Sequence, residues 1–421
     1  MKILVVGGTG LIGSAVVARL ISRGHQVTAV SRRPAGENNV AVDLATTGEA
    51  GWHTHLRGID AVVNCAGILQ DAPGETTASV HHAGAENLFK ACETLRIRRV
   101  IHFSAMGVDR ATPSDFSRTK LAGDTVLMQR DLDWIILRPS VVIGRSAYGA
   151  SALMRGLAAL SILPVMPAAE RLQVIWLDDV VATVEYCLSP QAPGRQVIEL
   201  AGPHSLSFEE VVALLRRWMR WPPAPTVRIP AFAAAILYRL GDLVSLLGWR
   251  PPVRSTARLE IARGAIADPS AAAMPIQPAP LAEALAREPA SVQERWFART
   301  YLLKPLIFAI LALFWLSTAF VSLGPGWDYG IGLMREGGVS ETVAALTVIA
   351  GALTDLCIGL AIAFRRTSRA GLYAAIFISF AYAIIGTILV PRLWADPLGP
   401  MLKIWPIIVL HLVALAVRED R

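Results

Sequence analysis

The sequence predicts an α/β chain with a doubly wound parallel sheet and a small second lobe, followed by an all-α bundle of four membrane helices. Three observations carry this. Apolar, strand-like runs alternate with helical patterns through the first half, which means parallel crossover units. The first of these runs ends in a glycine turn that opens a helix. The last third holds four apolar segments in series, 306–323, 343–364, 372–390 and 404–417.

Residues 2–13 read KILVVGGTGLIG. The run 3–6 is apolar on both faces, as in a buried parallel strand. It ends in Gly7-Gly8-Thr9-Gly10, and Leu11 opens a helical pattern that closes near Arg23-Gly24. Free backbone N–H groups at a helix N-terminus favour a phosphate. Gly7 allows the tight turn, Gly10 lets backbone approach a pyrophosphate, and Gly13 lets helix and strand pack closely. Glycines also serve ordinary turns, so it is the strand–turn–helix context that points to a dinucleotide.

A second strand over Gln26–Ser31 ends at Arg32-Arg33-Pro34. At this tip an acidic residue would hydrogen-bond a ribose 2′-hydroxyl, whereas an arginine accommodates a 2′-phosphate. Arg32, with Arg33 beside it, therefore favours NADP(H) over NAD(H), which the turn would still admit. A solvated arginine pair on a loop would read the same way. Residues 40–44 read as a third strand, with Asp43 placed to meet the adenine amino group. Residues 59–67, IDAVVNCAG, form a fourth, leaving Cys65, Ala66 and Gly67 against the cofactor. An amphipathic helix over 81–96, a fifth strand over 99–104 and a further strand over 131–138, followed by Pro139, complete the nucleotide half.

These residues resemble the short-chain dehydrogenase/reductase superfamily in its extended, atypical form. The matching pieces are GGTGLIG, Asp43-Leu44, residues 64–67, Lys120, Arg138-Pro139-Ser140 and WLDDV at 176–180, in that order over most of residues 1–215. The branch it is similar to includes an accessory subunit of respiratory complex I and its bacterial relatives. The resemblance implies a Rossmann fold and a cofactor lined by Gly7, Thr9, Gly10, Leu11, Ile12, Gly13, Arg32, Arg33, Asp43, Leu44, Cys65, Ala66, Gly67, Lys120 and Pro139. The family's catalytic pair is a tyrosine four residues before a lysine. Here the lysine is Lys120 and Phe116 holds the tyrosine's place, with no proton to give. Ser104 ends the fifth strand, but Ala105 and Met106 follow where further serines would stand. Ser104 either points at the nicotinamide or caps the strand end, and Ser104 and Lys120 are the remaining catalytic candidates. Hydride transfer itself needs no tyrosine, because the cofactor carries that chemistry. Water, His81, His82 or Tyr148 could supply a proton, though nothing in the sequence gives these three side chains more than a structural role.

From about residue 145 to 300 a smaller lobe should close over the nicotinamide. Residues 173–188 read as a short strand into a helix, 207–218 as an amphipathic helix, and 222–225 as a stiff proline turn. Residues 231–247 are strongly apolar but broken by Arg239, Gly241 and Asp242, which makes a poor span. They form a helix lying either on the lobe or in the membrane interface. Residues 267–280 read as loop, 281–287 as a short helix, and 293–304 as the join to the first span. The domains are accordingly 1–300 and 301–421.

A chain of 421 residues that is 53% hydrophobic and 17% charged is too apolar to be wholly soluble. The two middle apolar segments approach the roughly 20 residues a span needs; the first is near the lower limit and the fourth is short. In number, length and position the four resemble the DoxX-like family, some of whose members are linked to quinone redox. Lys304, Arg365, Arg366, Arg369, Arg418 and Arg421 fall on one side of such a bundle, and only Arg335, Arg392 and Lys403 on the other. This places the soluble domain and both termini in the cytoplasm, at the inner membrane of a bacterium. Trp327, Tyr329 and Trp394 then sit at the far interface. The net charge of +7 has no basic run behind it, so it reads as membrane orientation and not as nucleic-acid binding. Met1 leads directly into a strand, with no signal peptide in view. Cys65, Cys92, Cys187 and Cys357 lack metal spacing and read as reduced core residues; no metal is expected. Asp355 and His411 lie at similar depth and are expected to face each other, as a proton or ligand site or as a structural polar contact.

Two functions fit these observations. One is a membrane-tethered NADP(H)-binding reductase that passes hydride to a small hydrophobic substrate, a quinone or a lipid-derived carbonyl. Tethering would raise the effective concentration of such an acceptor. The other is a non-catalytic NADP(H)-binding module that assembles with membrane redox proteins. Phe116 favours the second and Lys120 the first.

Overall fold

A computed structural model describes residues 1–33, 39–72 and 74–418. Pro34 and Arg421, used above in the strand-tip and charge readings, lie outside the described residues. The chain divides into two compact units, 1–243 with 250–299, and 244–249 with 300–421.

In the first unit, β1 (Lys2–Val6) is buried at its last four positions, which suits only a central strand covered on both faces. Ile3 and Val5 pack with Val16 and Leu20 of α1 (Leu11–Ser22), while Leu4 and Val6 face the opposite layer. That layer is built from α2 (Glu49–Leu56), α3 (Ala85–Thr94) and α4 (Asp115–Met128), through Trp52, Leu88, Phe89 and Leu127. Each such fully buried aliphatic or aromatic side chain contributes roughly 1.5–3 kcal/mol. The neighbouring strands are β2 (Gln26–Ser31), β3 (Asn39–Ala41), β4 (Ala61–Asn64), β5 (Arg99–Phe103) and β6 (Asp133–Pro139). With β10 (Gln196–Leu200) they make a seven-stranded parallel sheet in the order β10-β6-β5-β4-β1-β2-β3.

Three details depart from the sequence reading. The third strand is shorter than 40–44, because Asp43 turns the chain by accepting the Ala45 N–H at 3.0 Å. The helix expected over 81–96 opens instead with a widened π turn, Ser79–Gly84. Gly84 is forced there, since a Cβ on it would lie 2.2 Å from the Leu44 carbonyl oxygen. Last, part of the stretch assigned to the lobe returns to the main sheet: α6 (Leu177–Cys187) packs on α1, and β10 pairs with β6. The strand was hard to see because it is five residues long and carries Glu199, buried against Arg110.

The lobe has its own core, from Ile143 and Met154 to Leu285 and Ala298. It holds α5 (Gly149–Ala158), α7 (Phe208–Trp218) and two short parallel ladders, β7 (Val142–Ile143) with β9 (Ile175–Trp176) and β8 (Leu163–Val165) with β11 (Thr226–Arg228). A capping box starts α7: Ser207 Oγ accepts the Glu210 N–H at 3.2 Å, and Glu210 accepts the Ser207 N–H at 2.6 Å. Next come α8 (Ala231–Leu246), α9 (Ser255–Arg263), α10 (Leu281–Arg287) and α11 (Val292–Tyr301).

The second unit contains α12 (Leu303–Leu323), α13 (Trp327–Glu336), α14 (Glu341–Ala363), α15 (Ser368–Leu389) and α16 (Ile404–Val417). Helices α12, α14, α15 and α16 close into a ring, each touching the next. Three of them are long and apolar enough to cross a membrane. The fourth, α16, has 14 residues, so it rises about 21 Å against a hydrocarbon core of roughly 30 Å. Helix α13, in the first connection, was not anticipated. Cys357 faces outward in the company of Phe377 and Ala374, while Cys92 and Cys187 are core residues as expected. Glycines set the close approaches inside the ring: a Cβ on Gly359 would lie 2.8 Å from Leu316 Cγ and 3.0 Å from its backbone nitrogen.

Gly359→Ala is therefore expected to force α12 and α14 apart and to lower the stability of the detergent-solubilised protein by about 1–3 kcal/mol. Thermal melts followed by helical circular dichroism would measure this. An unchanged melting temperature would mean that the contact does not hold the ring.

Candidate functional site

From β1 the chain passes through β2 and β3 on one side, then returns to pair β4 on the other. Such a reversal opens a crevice beyond the carboxyl ends of the strands. Two turns line it.

The first turn follows β1. Gly7 adopts φ +76°, and the Gly7 and Gly8 N–H groups both donate to Val30 O, at 2.9 and 3.1 Å. A Cβ on Gly13 would lie 2.2 Å from Gly7 O, so the third glycine is fixed by the packing of α1 on its own turn. Gly10 differs. Its backbone, at φ −77° and ψ 175°, suits any residue, and an added Cβ would meet only Gly7 O, at 3.3 Å. The protein's own packing thus asks less of position 10 than of position 13, whereas a diphosphate lying against the turn would require a glycine there. No side chain caps α1, which leaves its positive end for an anion. Thr9 is half-buried in the turn, while Leu11 and Ile12 pack against the sheet core. The residues present thus fit a dinucleotide.

The second turn, Cys65-Ala66-Gly67, follows β4 and touches the first: a Cβ on Gly7 would lie 2.8 Å from Ala66 N. Lys120 is buried against the second turn and the end of β5. Its Nζ donates to Phe103 O at 2.8 Å and to Ala66 O at 3.4 Å, and a Cβ on Gly67 would come within 3.1 Å of it. Burial pulls the Lys120 ammonium down to about 8, opposed by Asp124 and Cys65.

Behind the lysine runs a buried polar network. Ser104 Oγ donates to Asp124 Oδ2 at 2.9 Å, and Arg138 Nη2 and Nε donate to the same oxygen at 3.0 and 3.2 Å. A further nitrogen of Arg138 donates to Asp109. Burial pushes the Asp124 carboxyl up, and Arg138 and Ser104 pull it back. Asn64 uses its Oδ1 on the Ala66 N–H, so its amide donates to His102 Nδ1, at 3.2 Å. The His102 proton accordingly sits on Nε2, 3.7 Å from Asp124 Oδ1. The Ser104 hydroxyl hydrogen is directed inward, to the Asp124 carboxylate.

His81, delivered by the π turn, accepts the Ile68 N–H at Nε2, 3.0 Å away, and bonds Thr119 Oγ1 through Nδ1 at 2.9 Å. Because Thr119 spends its own hydrogen on Asp115 O, the imidazole is the donor in that second bond. Burial, reinforced by Lys120, holds His81 far below its ordinary pKa and keeps it neutral. Phe116 meets it edge-on, ring centroids 5.6 Å apart. With both nitrogens engaged, His81 is a fixed structural group. His82 is half-buried beside it, and Tyr148 stands at the N-terminus of α5.

The remaining residues of the expected lining have contacts of their own. Leu44 packs into the core, and Asp43 holds its turn. Pro139 ends β6, its carbonyl accepting the Met106 N–H at 3.1 Å. Arg32 reaches Glu75 Oε1 at 2.6 Å, and the other oxygen of that buried carboxylate takes Arg250 at 2.7 Å. Its side chain stays 47% exposed, and Arg33 is exposed beside it. Glu75 comes from the loop after β4, so only the fold brings it to the β2 tip.

Within the helical unit, Asp355 and His411 do not pair with each other. Asp355 Oδ1 accepts the Tyr382 hydroxyl at 2.8 Å, and Thr318 lies beside it with its own hydroxyl donated to Trp315 O at 2.8 Å. His411 Nε2 accepts Trp315 Nε1–H at 2.9 Å, and its Nδ1 reaches Ile407 O at 2.7 Å. Trp315 and Thr318 lie one turn apart on α12, so α12 carries a neighbour for each group. Among the described residues, no cluster of three or more His, Cys, Asp or Glu side chains could hold a metal ion.

Comparison with known proteins agrees with this geometry. Residues 7–156 match the NAD(P)H-binding family model, and residues 312–412 match the DoxX-like family model. An uncharacterized protein of Mycobacterium tuberculosis is 25% identical over 254 residues, 58% of this chain and 27% of that protein. The mitochondrial NADH-ubiquinone oxidoreductase 40 kDa subunit of Neurospora crassa is 25% identical over 226 residues, 51% of this chain and 59% of the subunit. The chain thus spans about a quarter of the mycobacterial relative's length. A structure of MoeE5 in complex with UDP-glucose and NAD shares the fold at 19% identity, with a TM-score of 0.54 over 72% of this chain and 100% of that one. The amino-terminal part is an NAD(P)-binding Rossmann domain similar to the short-chain dehydrogenase/reductases, and it is followed by a DoxX-like domain with three helices able to cross a membrane.

Two predictions follow from the site. Gly10→Val should cost the ligand-free protein only about 1 kcal/mol, as a poorer helix cap in a tight contact, while lowering NADPH affinity at least about tenfold by titration calorimetry. Between about pH 8 and 10.5 the unfolded Lys120 stays protonated while the folded one is neutral, so the unfolded chain binds more protons and stability rises with pH. Lys120→Met should abolish that rise, worth about 3 kcal/mol at most. Denaturant melts of both proteins across this range would show parallel curves if the ammonium were not buried.

Proposed function

We propose that the chain is a membrane-tethered NADP(H)-dependent reductase of a hydrophobic acceptor, with a quinone as the acceptor class. One observation carries this reading: Lys120 remains buried against the ends of β4 and β5 beside the glycine turn, although Phe116 stands where a phenol would. A scaffold would have no use for a desolvated ammonium at that place.

When bound, the nicotinamide cofactor supplies the hydride. The turn from Gly7 to Gly13 and the free end of α1 hold the diphosphate, and Lys120 Nζ orients the adjoining ribose. Arg32, sharing Glu75 with Arg250, and Arg33 receive a 2′-phosphate. Phe116, braced by neutral His81, gives the reacting face a hydrocarbon wall and offers no proton. With Phe116 in the tyrosine's place, the proton an acceptor would need has to come from solvent and not from this chain. This favours a quinone over a lipid-derived carbonyl, because a hydroquinone anion is a stabilised phenolate whereas an alkoxide needs an acid beside it. The name of the Neurospora relative, a subunit of an NADH-ubiquinone oxidoreductase, is in keeping with that class. Lys304, Arg365, Arg366 and Arg369 support a cytoplasmic soluble domain at a bacterial inner membrane.

The same phenylalanine and the fully engaged His81 favour a second reading, a nucleotide-binding module that assembles with membrane redox proteins and turns nothing over. Detergent-purified protein given NADPH with a panel of quinones and aldehydes separates the two. Loss of NADPH absorbance with quinones and not with aldehydes is the expected result; tight NADPH binding without turnover of any acceptor leaves the module. In the same preparation Arg32→Ala should cost roughly tenfold in NADPH affinity and nothing in NADH affinity. Equal losses for both would remove the preference for the phosphorylated cofactor.

A further inference from the structure

Helix α8 displays its large hydrocarbon side chains and hides a face that, apart from Tyr238, is small. Phe232, Ile236, Leu240 and Leu243 recur at helical spacing and are exposed, with Phe232 at 71%. The opposite face, Ala234, Tyr238, Gly241 and Ser245, is buried. A helix resting on a soluble lobe shows the reverse pattern, apolar side chains inward and polar ones outward. Nor can α8 roll over to hide them. A Cβ on Gly241 would lie 1.8 Å from Val253 O, so the small face is locked against the following chain.

We infer that α8 lies in the plane of the membrane, with its Phe232–Leu243 face among lipid headgroups and upper acyl chains. What names lipid as the occupant is where the helix ends. Residues 244–249 belong to the unit that contains the membrane-length helices. Leu247 O accepts the Arg365 N–H at 3.0 Å, just beyond the end of α14. Trp249 Nε1 donates to Ala363 O at 2.7 Å, and its ring meets Phe308 at a tilt of 57° with centroids 4.7 Å apart. The chain leaving α8 is thus pinned at the end of a span, where tryptophan belongs at the water boundary. With 16 residues, about 24 Å, and with Arg239 and Asp242 along it, α8 does not cross. Arg239, exposed within the apolar arc, can extend its guanidinium to the headgroups while its methylenes stay among the lipids.

Site-directed spin labels in nanodiscs test this on the full chain. In a Cys357→Ser background, labels are placed singly at Phe232→Cys, Leu240→Cys and Leu243→Cys. Phe377→Cys on α15, 72% exposed, serves as the lipid-facing control, and Ala213→Cys on the exposed side of α7 as the aqueous one. The expected result is that the three α8 labels follow Phe377→Cys, colliding with oxygen several-fold more often than with a water-soluble nickel chelate. Labels that follow Ala213→Cys overturn the inference. Labels immobile and shielded from both reagents overturn it too, by showing a protein partner or a second copy on that face. The readout does not depend on turnover, so it stands apart from the reductase reading.

Discussion

The contact between the turn after β1 and the turn after β4 sets the geometry of the whole carboxyl edge. Gly7 can approach Ala66 as closely as it does only because it has no side chain and a positive φ. From that contact the rest follows in steps: Ala66 presents its carbonyl to Lys120, Asn64 is held by the Ala66 N–H, and Asn64 in turn sets the tautomer of His102. The nucleotide turn and the buried polar network are therefore one construction, and a side chain at position 7 would disturb both.

The network also explains how a lysine survives in such a place. An ammonium without solvent is costly, and here its donors meet two main-chain carbonyls while Asp124 lies one helical turn away. Asp124 is itself balanced by Arg138 and Ser104. The missing phenol has not left a hole. Phe116 fills its position against His81, and His81 is tied to Ile68 and Thr119. The departure from the family pattern is built into the packing.

The backbone of this account was readable in the letters because it rests on short, local patterns. A strand that is apolar throughout, glycines at fixed offsets and the amphipathic spacing over 207–218 announce their structure within a few residues. What stayed hidden depends on partners far away in sequence. The strand β10 carries a glutamate whose burial makes sense only beside Arg110, and the π turn at Ser79 follows from Gly84 pressing on Leu44. The partners of Arg32, Asp355 and His411 each come from another element, so equal depth or position along the chain gave no means of finding them. For α8 the letters allowed two placements, and only the burial of its small residues shows which face is outward.

The ring in the second unit has one low wall. Helices α12, α14 and α15 rise about 32–35 Å, whereas α16 rises about 21 Å. A bilayer of even thickness cannot match both, so lipid beside α16 must compress or let polar groups dip inward, at fractions of a kcal/mol per ångström. Such an annulus is lopsided, because the mismatch falls on one side of the ring alone.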